Sequence, residues 1–204
     1  MITLHIITGP MFSGKTTLLL GELYEFAVKG LKTMLIMHEK NTRDEDKISH
    51  FPTKIPDSLA IVRLSKLNDI FLNPDIVEYD VIGIDEAQFF DDLISFVDNI
   101  KLSGDVQVSD IISVERNPES KNIYLIVSGL NGDYEMKKFG HVVDLICKSD
   151  KITMLTAKCT ECYRINGEHV EARFTKRIVK ENGQILVGGS SEYIPVCKKH
   201  HESS

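Results

Sequence analysis

The sequence predicts an α/β fold, a mostly parallel sheet flanked by helices with a small β-rich lobe appended. Three observations predict it. Apolar runs of strand length alternate with stretches of helical periodicity; a glycine-rich turn follows the first of these runs; and from about Lys151 the texture changes to short β-rich pieces with turn signals and cysteines near both ends. The expected division is residues 1–150 for the α/β domain and 151–204 for the lobe. At 204 residues the chain can bury one sizeable core and a small appendage.

The elements follow in order. "LHIIT", Leu4 to Thr8, is a short apolar run ending at glycine. After it, Leu19, Leu20, Leu23, Phe26 and Ala27 recur at helical spacing, and Gly30 stands where a left-handed C-cap belongs. "KTMLIM", Lys32 to Met37, and "YDVIGID", Tyr79 to Asp85, read as buried strands. Leu93, Ile94, Phe96, Val97 and Ile100 mark an amphipathic helix, and "NIYLIVSG", Asn122 to Gly129, a further strand. The polar segments from His38 to Ser58 and from Ser103 to Asn122 are expected as loops.

Composition narrows the function. A net charge of −6 provides no basic field for a polyanion, which counts against generic nucleic-acid or membrane-surface binding but leaves small anionic ligands open. No apolar run approaches the roughly 20 residues of a membrane span. "MITLHIITGPMF" lacks the basic start of a signal peptide, so a cytoplasmic protein is expected. The four cysteines are too unevenly spread for a disulfide framework, and metal binding is the better reading. Cys147 has no partner at ligand spacing and is expected to be a buried core thiol.

"GPMFSGKT" comprises Gly9, Pro10, Met11, Phe12, Ser13, Gly14, Lys15 and Thr16, and it fits G-x-x-x-x-G-K-[ST] between a strand and a helix. Its backbone N–H groups can cradle phosphates, with Lys15 reaching the terminal phosphates and Thr16 offering a hydroxyl to Mg²⁺. In "VIGIDEAQFF", Asp85 ends an apolar strand as a Mg²⁺-side aspartate does. Glu86, one residue on, leaves the strand in another direction and is the candidate base, or else a solvated carboxylate. These residues alone do not decide whether water or a substrate hydroxyl gives up the proton. "KCTEC" and "VCKKH" offer Cys159, Cys162, Cys197 and His200, three thiols and an imidazole suited to a closed structural Zn²⁺ site. His201 is an alternative fourth ligand, and a redox C-x-x-C is an alternative use of the first pair. "EARFTKR" and "ILVGGSSEY" read on composition as an ordinary basic strand and a turn.

With these motifs in this order the chain resembles the zinc-containing, cellular and poxviral type of thymidine kinase. "GPMFSGKTT", "NTR", "VIGIDEAQFF", "GLNGDYEMKKFG", "KITMLTAKCTEC", "RFTKR", "GGSSEY" and "VCKKH" carry the resemblance over nearly the whole length. It implies a phosphate-loop, RecA-like sheet and transfer of the γ-phosphate of ATP to the 5′-hydroxyl of thymidine or deoxyuridine, with Mg²⁺ and a structural Zn²⁺. Glu86 then takes the hydroxyl proton, Thr16 and Asp85 serve Mg²⁺, and Asn41, Thr42, Arg43 and Gln88 lie near the phosphates. A loop of the lobe, Gln184, Ile185, Leu186, Val187 and Gly188, reads the base together with Tyr193 and Thr175, between apolar walls from Met11, Phe89, Leu130 and Tyr134. The resemblance also implies a homotetramer, with no nucleic-acid or membrane partner. A zinc-ribbon ATPase acting on nucleic acid, or a binding-only relative, is the competing reading. The chain departs from the family at "LNGDY", where "LDGTF" is usual, at "SHFPT" around His50, and in the longer Ser103 to Asn122 segment.

Overall fold

The computed structural model describes residues 2–40, 56–72, 76, 78–102, 123–181 and 183–203. Six strands, β1 (Ile2–Gly9), β2 (Thr33–His38), β3 (Leu59–Leu64), β4 (Val81–Asp85), β5 (Ile123–Leu130) and β6 (Lys151–Met154), form one sheet in the order β3-β2-β4-β5-β1-β6. Every pairing is parallel. All six residues of β2 and all five of β4 are buried, as strands covered on both faces must be. The period of two sorts their side chains: Leu4, Ile6, Met34 and Ile36 join one core with Phe90, Phe96 and Val97, while Ile7, Leu35 and Met37 join the other with Leu19, Leu23 and Ala27.

The second core is closed by helix α1 (Lys15–Val28), the first by helix α2 (Leu93–Leu102) and by short 3-10 segments. Helix α1 stops in a Schellman arrangement: Gly30, at φ 84°, donates its N–H to Ala27 O and Leu31 to Phe26 O. Since the strands are parallel, Gly9, Asp85 and Leu130 all emerge at one edge of the sheet, where β1 pairs Gly9 with Leu130. That edge carries the site.

Strand β3 is not among the expected elements. "LAIVRL" is mostly half-exposed with Arg63 outward, because it is an edge strand paired only to β2, and half-buried runs show weak patterning. Strand β6 pairs with His5 to Thr8 of β1, so the α/β sheet extends past residue 150 and the architecture changes after Met154. Cys147 is exposed, which corrects the expectation of a core thiol. It lies on the 3-10 segment Val142–Lys148, whose three-residue period turns Val142 and Leu145 inward and Cys147 out.

The lobe has two small antiparallel ladders, β7 (Ala157–Lys158) with β8 (Glu171–Ala172) and β9 (Phe174–Arg177) with β10 (Tyr193–Val196), and two short helices, α3 (Thr160–Asn166) and α4 (Lys198–Glu202). Among the described residues its hydrophobic cluster is small: Cys159, Cys162, Ala172 and Val196, with Ala157, Phe174, Ile194 and Cys197 half-buried against it. Among the described residues no helix is long and apolar enough to cross a membrane.

Candidate active site and metal cluster

The loop after β1 bends back on itself before α1 begins. Gly14 holds φ 83°, Ser13 Oγ donates to Pro10 O at 2.8 Å, and Lys15 Nζ reaches the same carbonyl at 2.7 Å. The first turn of α1 contains no acidic residue, so the positive end of its dipole stays available to an anion. Asp85, 2% exposed at the end of β4, accepts from Thr16 Oγ1 at 3.2 and 3.0 Å and from Ser128 Oγ at 3.2 Å. A hydroxyl and a carboxylate meeting beside a phosphate cradle are hard oxygen donors of the kind Mg²⁺ takes. Ser128 carries no motif signal; only the β4–β5 pairing brings it here.

Glu86 sits at φ 49°, a left-handed conformation uncommon for a residue other than glycine. The turn separates its carboxylate from that of Asp85 and starts the 3-10 segment Ala87–Phe89. Gln88, almost fully buried, donates from Nε2 to Glu86 Oε2 and accepts the Leu130 N–H on Oε1 at 3.1 Å. It is a strut holding Glu86 against the end of β5. Gly140, at φ 61°, lies under that strut: a Cβ there would come within 2.3 Å of Gln88 O and 2.7 Å of its Cα. Gly140→Ala is therefore expected to destabilise the protein by about 1–3 kcal/mol, read from the denaturant midpoint, and to lower activity by shifting Glu86.

Beside Glu86 opens a cleft, partly open to solvent. Of the residues expected to bind nucleoside, Met11, Phe89, Leu130, Tyr134, Thr175, Gln184, Ile185, Leu186 and Tyr193 line it, whereas Val187 and Gly188 do not. Phe139 and Asp133, which are not among the expected residues, line it too, and Phe139 meets the Phe89 ring edge-on at 5.7 Å. The Met11 N–H donates to Thr175 Oγ1 at 3.0 Å, joining the phosphate loop to β9 of the lobe. Arg177 holds the lobe's loop from within, donating to Glu181 O, Gly183 O, Gln184 O and the Tyr193 hydroxyl, with its guanidinium 3.8 Å from the centre of the Tyr134 ring. Tyr193 in turn donates to Leu186 O at 2.9 Å. Asn41, Thr42, Arg43, His50 and the Ser103 to Asn122 segment lie outside the described residues.

Cys159, Cys162, Cys197 and His200 bring their ligand atoms within 4.8 Å of one another. His200 Nδ1 is 3.5, 3.4 and 3.5 Å from the three sulfurs, and Cys162 and Cys197 are 3.8 Å apart. A tetrahedral Zn²⁺ with bonds of about 2.3 Å to sulfur and 2.0 Å to nitrogen implies S···S edges of about 3.8 Å and S···N edges of about 3.5 Å, so the cluster fits the ion. His201 points elsewhere, with Nε2 2.9 Å from Tyr134 O. Burial, with Cys159 and Cys197 beside it, pushes Cys162 up to about 12. Burial also works against ionising Cys159, but hydrogen bonds from the Cys162 and Cys197 backbone and from His200 bring it down to about 6. A dication can hold both as thiolates.

A family model described as "Thymidine kinase" matches residues 2–108 and 105–201. The chain is 37% identical over 201 residues to a thymidine kinase of Oryza sativa subsp. japonica, covering 97% of this chain and 65% of that protein. It is 35% identical to thymidine kinase 1 of Dictyostelium discoideum, over 98% of this chain and 78% of that one, and 33% identical to the thymidine kinase of fowlpox virus, over 97% and 95%. The flagellar accessory protein FlaH of Methanocaldococcus jannaschii shares the fold, with a TM-score of 0.50 and 16% identity over 78% of this chain and 72% of that one.

Proposed function

The chain belongs to the thymidine kinase family, and from that premise we propose that it transfers the γ-phosphate of ATP to the 5′-hydroxyl of thymidine, and of deoxyuridine, releasing ADP and the nucleoside monophosphate. One observation carries the reading: a single cavity has Glu86 on one side and the lobe's loop, with Thr175 and Tyr193, on the other, next to the phosphate loop.

The loop from Gly9 to Thr16, with Lys15, holds the ATP phosphates, and the family resemblance assigns Asn41, Thr42 and Arg43 to the same ligand. Thr16 and Asp85, backed by Ser128, would hold Mg²⁺, which supplies neutralising charge to the phosphates. Glu86 takes the 5′-hydroxyl proton as the new P–O bond forms and the bond from the γ-phosphorus to the ADP oxygen breaks. Gln88 keeps that carboxylate aimed. The four-ligand cluster would hold Zn²⁺, which supplies a cross-link and no chemistry because no ligand position is left open.

Base selection falls to the space between Phe89, Leu130, Tyr134 and the loop, where a purine is too large and backbone groups of Gln184, Ile185 and Leu186 can tell thymine from cytosine by hydrogen-bond pattern. The bovine relative is described as cytosolic, and by analogy we place this chain in the cytoplasm; the homotetramer is proposed on the family resemblance alone.

Incubation with Mg·ATP and each deoxynucleoside tests the reading. Thymidine monophosphate is the expected product, with purine nucleosides left unchanged. DNA-stimulated ATP hydrolysis with no nucleotide product would overturn it.

A further inference from the structure

We propose that Asp133 and Gln184 are a positioning pair that sets the closed position of the lobe's loop over the nucleoside cavity and thereby the affinity for the nucleoside. The inference rests on the kinase reading of that cavity. Asp133 belongs to the segment "LNGDY", where the chain departs from its family, and is 7% exposed. Its two oxygens are divided between two tasks. Oδ1 accepts the Glu135 and Lys137 N–H groups, both at 2.9 Å, and shapes the turn that follows β5. Oδ2 accepts from Gln184 Nε2 at 2.7 Å, and the same amide nitrogen donates to Lys138 O at 3.0 Å.

A carboxylate withdrawn from water requires partners on both oxygens, so Gln184 is more than a passing surface contact. It is also a seam. Arg177 holds the Gln184 backbone carbonyl to the lobe at 3.1 Å, while the Gln184 side chain is held by the turn of the α/β body. The next two residues, Ile185 and Leu186, line the cavity, as does Asp133 itself. Moving the amide moves the wall.

The chemistry also says why an amide stands here. A carboxylate at this position would face the Asp133 carboxylate and the Lys138 carbonyl, all acceptors with no proton among them. The pair is tested on the full chain with Gln184→Glu and with that change combined with Asp133→Asn, whose amide keeps Oδ1 for the turn and offers a donor to the introduced carboxylate. Because like charges placed in contact repel strongly, Gln184→Glu is expected to raise the KM for thymidine by about tenfold or more, with kcat and the KM for ATP within about threefold. Trypsin is expected to cut faster after the exposed Lys180. The double variant should recover most of both effects.

A thymidine KM and a cleavage rate within about twofold of the parent in Gln184→Glu would refute the pair, as would failure of the double variant to recover. Loss of kcat, ATP affinity and melting temperature together would also refute it, since that marks general damage. If the parent makes no thymidine monophosphate, the kinase reading falls while the cleavage measurements still decide the pair.

Discussion

Glu86→Gln is expected to lower kcat for thymidine phosphorylation by about 10²- to 10⁴-fold, the range general bases contribute, while leaving ATP affinity within about twofold. The change suits the site. Glutamine has the shape of glutamate and can still present a side-chain oxygen to Gln88 Nε2, so the strut to Leu130 and the left-handed turn at residue 86 have no reason to move. What disappears is the ability to accept a proton. Asp85 cannot substitute, because its oxygens are directed at Thr16 and Ser128. Single-turnover phosphate transfer, together with ATP titration, reads the two quantities separately. A rate that persists would place the base elsewhere.

Cys159→Ser, or treatment with a chelator, is expected to raise the KM for thymidine by about tenfold or more and so lower turnover at sub-saturating thymidine by a like factor, while ATP affinity changes much less. The asymmetry follows from where the burial lies. Two of the four residues in the lobe's buried cluster are themselves candidate ligands, and Cys159 Sγ additionally accepts the Cys197 N–H at 3.2 Å. Four small residues bury too little apolar surface to order some fifty residues without a cross-link. The α/β core has two large clusters of its own and does not depend on the lobe. Metal analysis gives the decisive number: zinc at full stoichiometry in the serine variant would remove Cys159 from the ligand set.

Much of this architecture is legible in the sequence. The phosphate loop, Asp85 with Glu86, and the two cysteine knuckles are each contiguous, because a backbone cradle, a strand end and a metal knuckle are built from neighbours. The parallel sheet is legible for the same reason, since runs such as "TMLIMH" declare double-sided burial locally. Long-range partners give no such signal. Ser128 reaches Asp85 across 43 positions, Gln88 reaches Leu130 across 42, and Gln184 reaches Asp133 across 51. Each is an ordinary polar residue until the fold supplies its partner. The edge strand β3 and the exposure of Cys147 escape the sequence for the converse reason: exposure is decided by what packs alongside, and one segment's composition does not record that.

The bond from the Met11 N–H to Thr175 Oγ1 joins residues 164 positions apart. During synthesis Met11 leaves the ribosome long before Thr175, and before Cys197 and His200, on which the lobe depends. The phosphate loop thus emerges early, yet its nucleoside-side wall waits for the last ligands to arrive. Contacts of such sequence separation slow folding and leave partly assembled chains with uncovered apolar surface. With zinc bound at the cluster, the timing of its delivery relative to translation would set how long the half-built cleft stays open to misassembly.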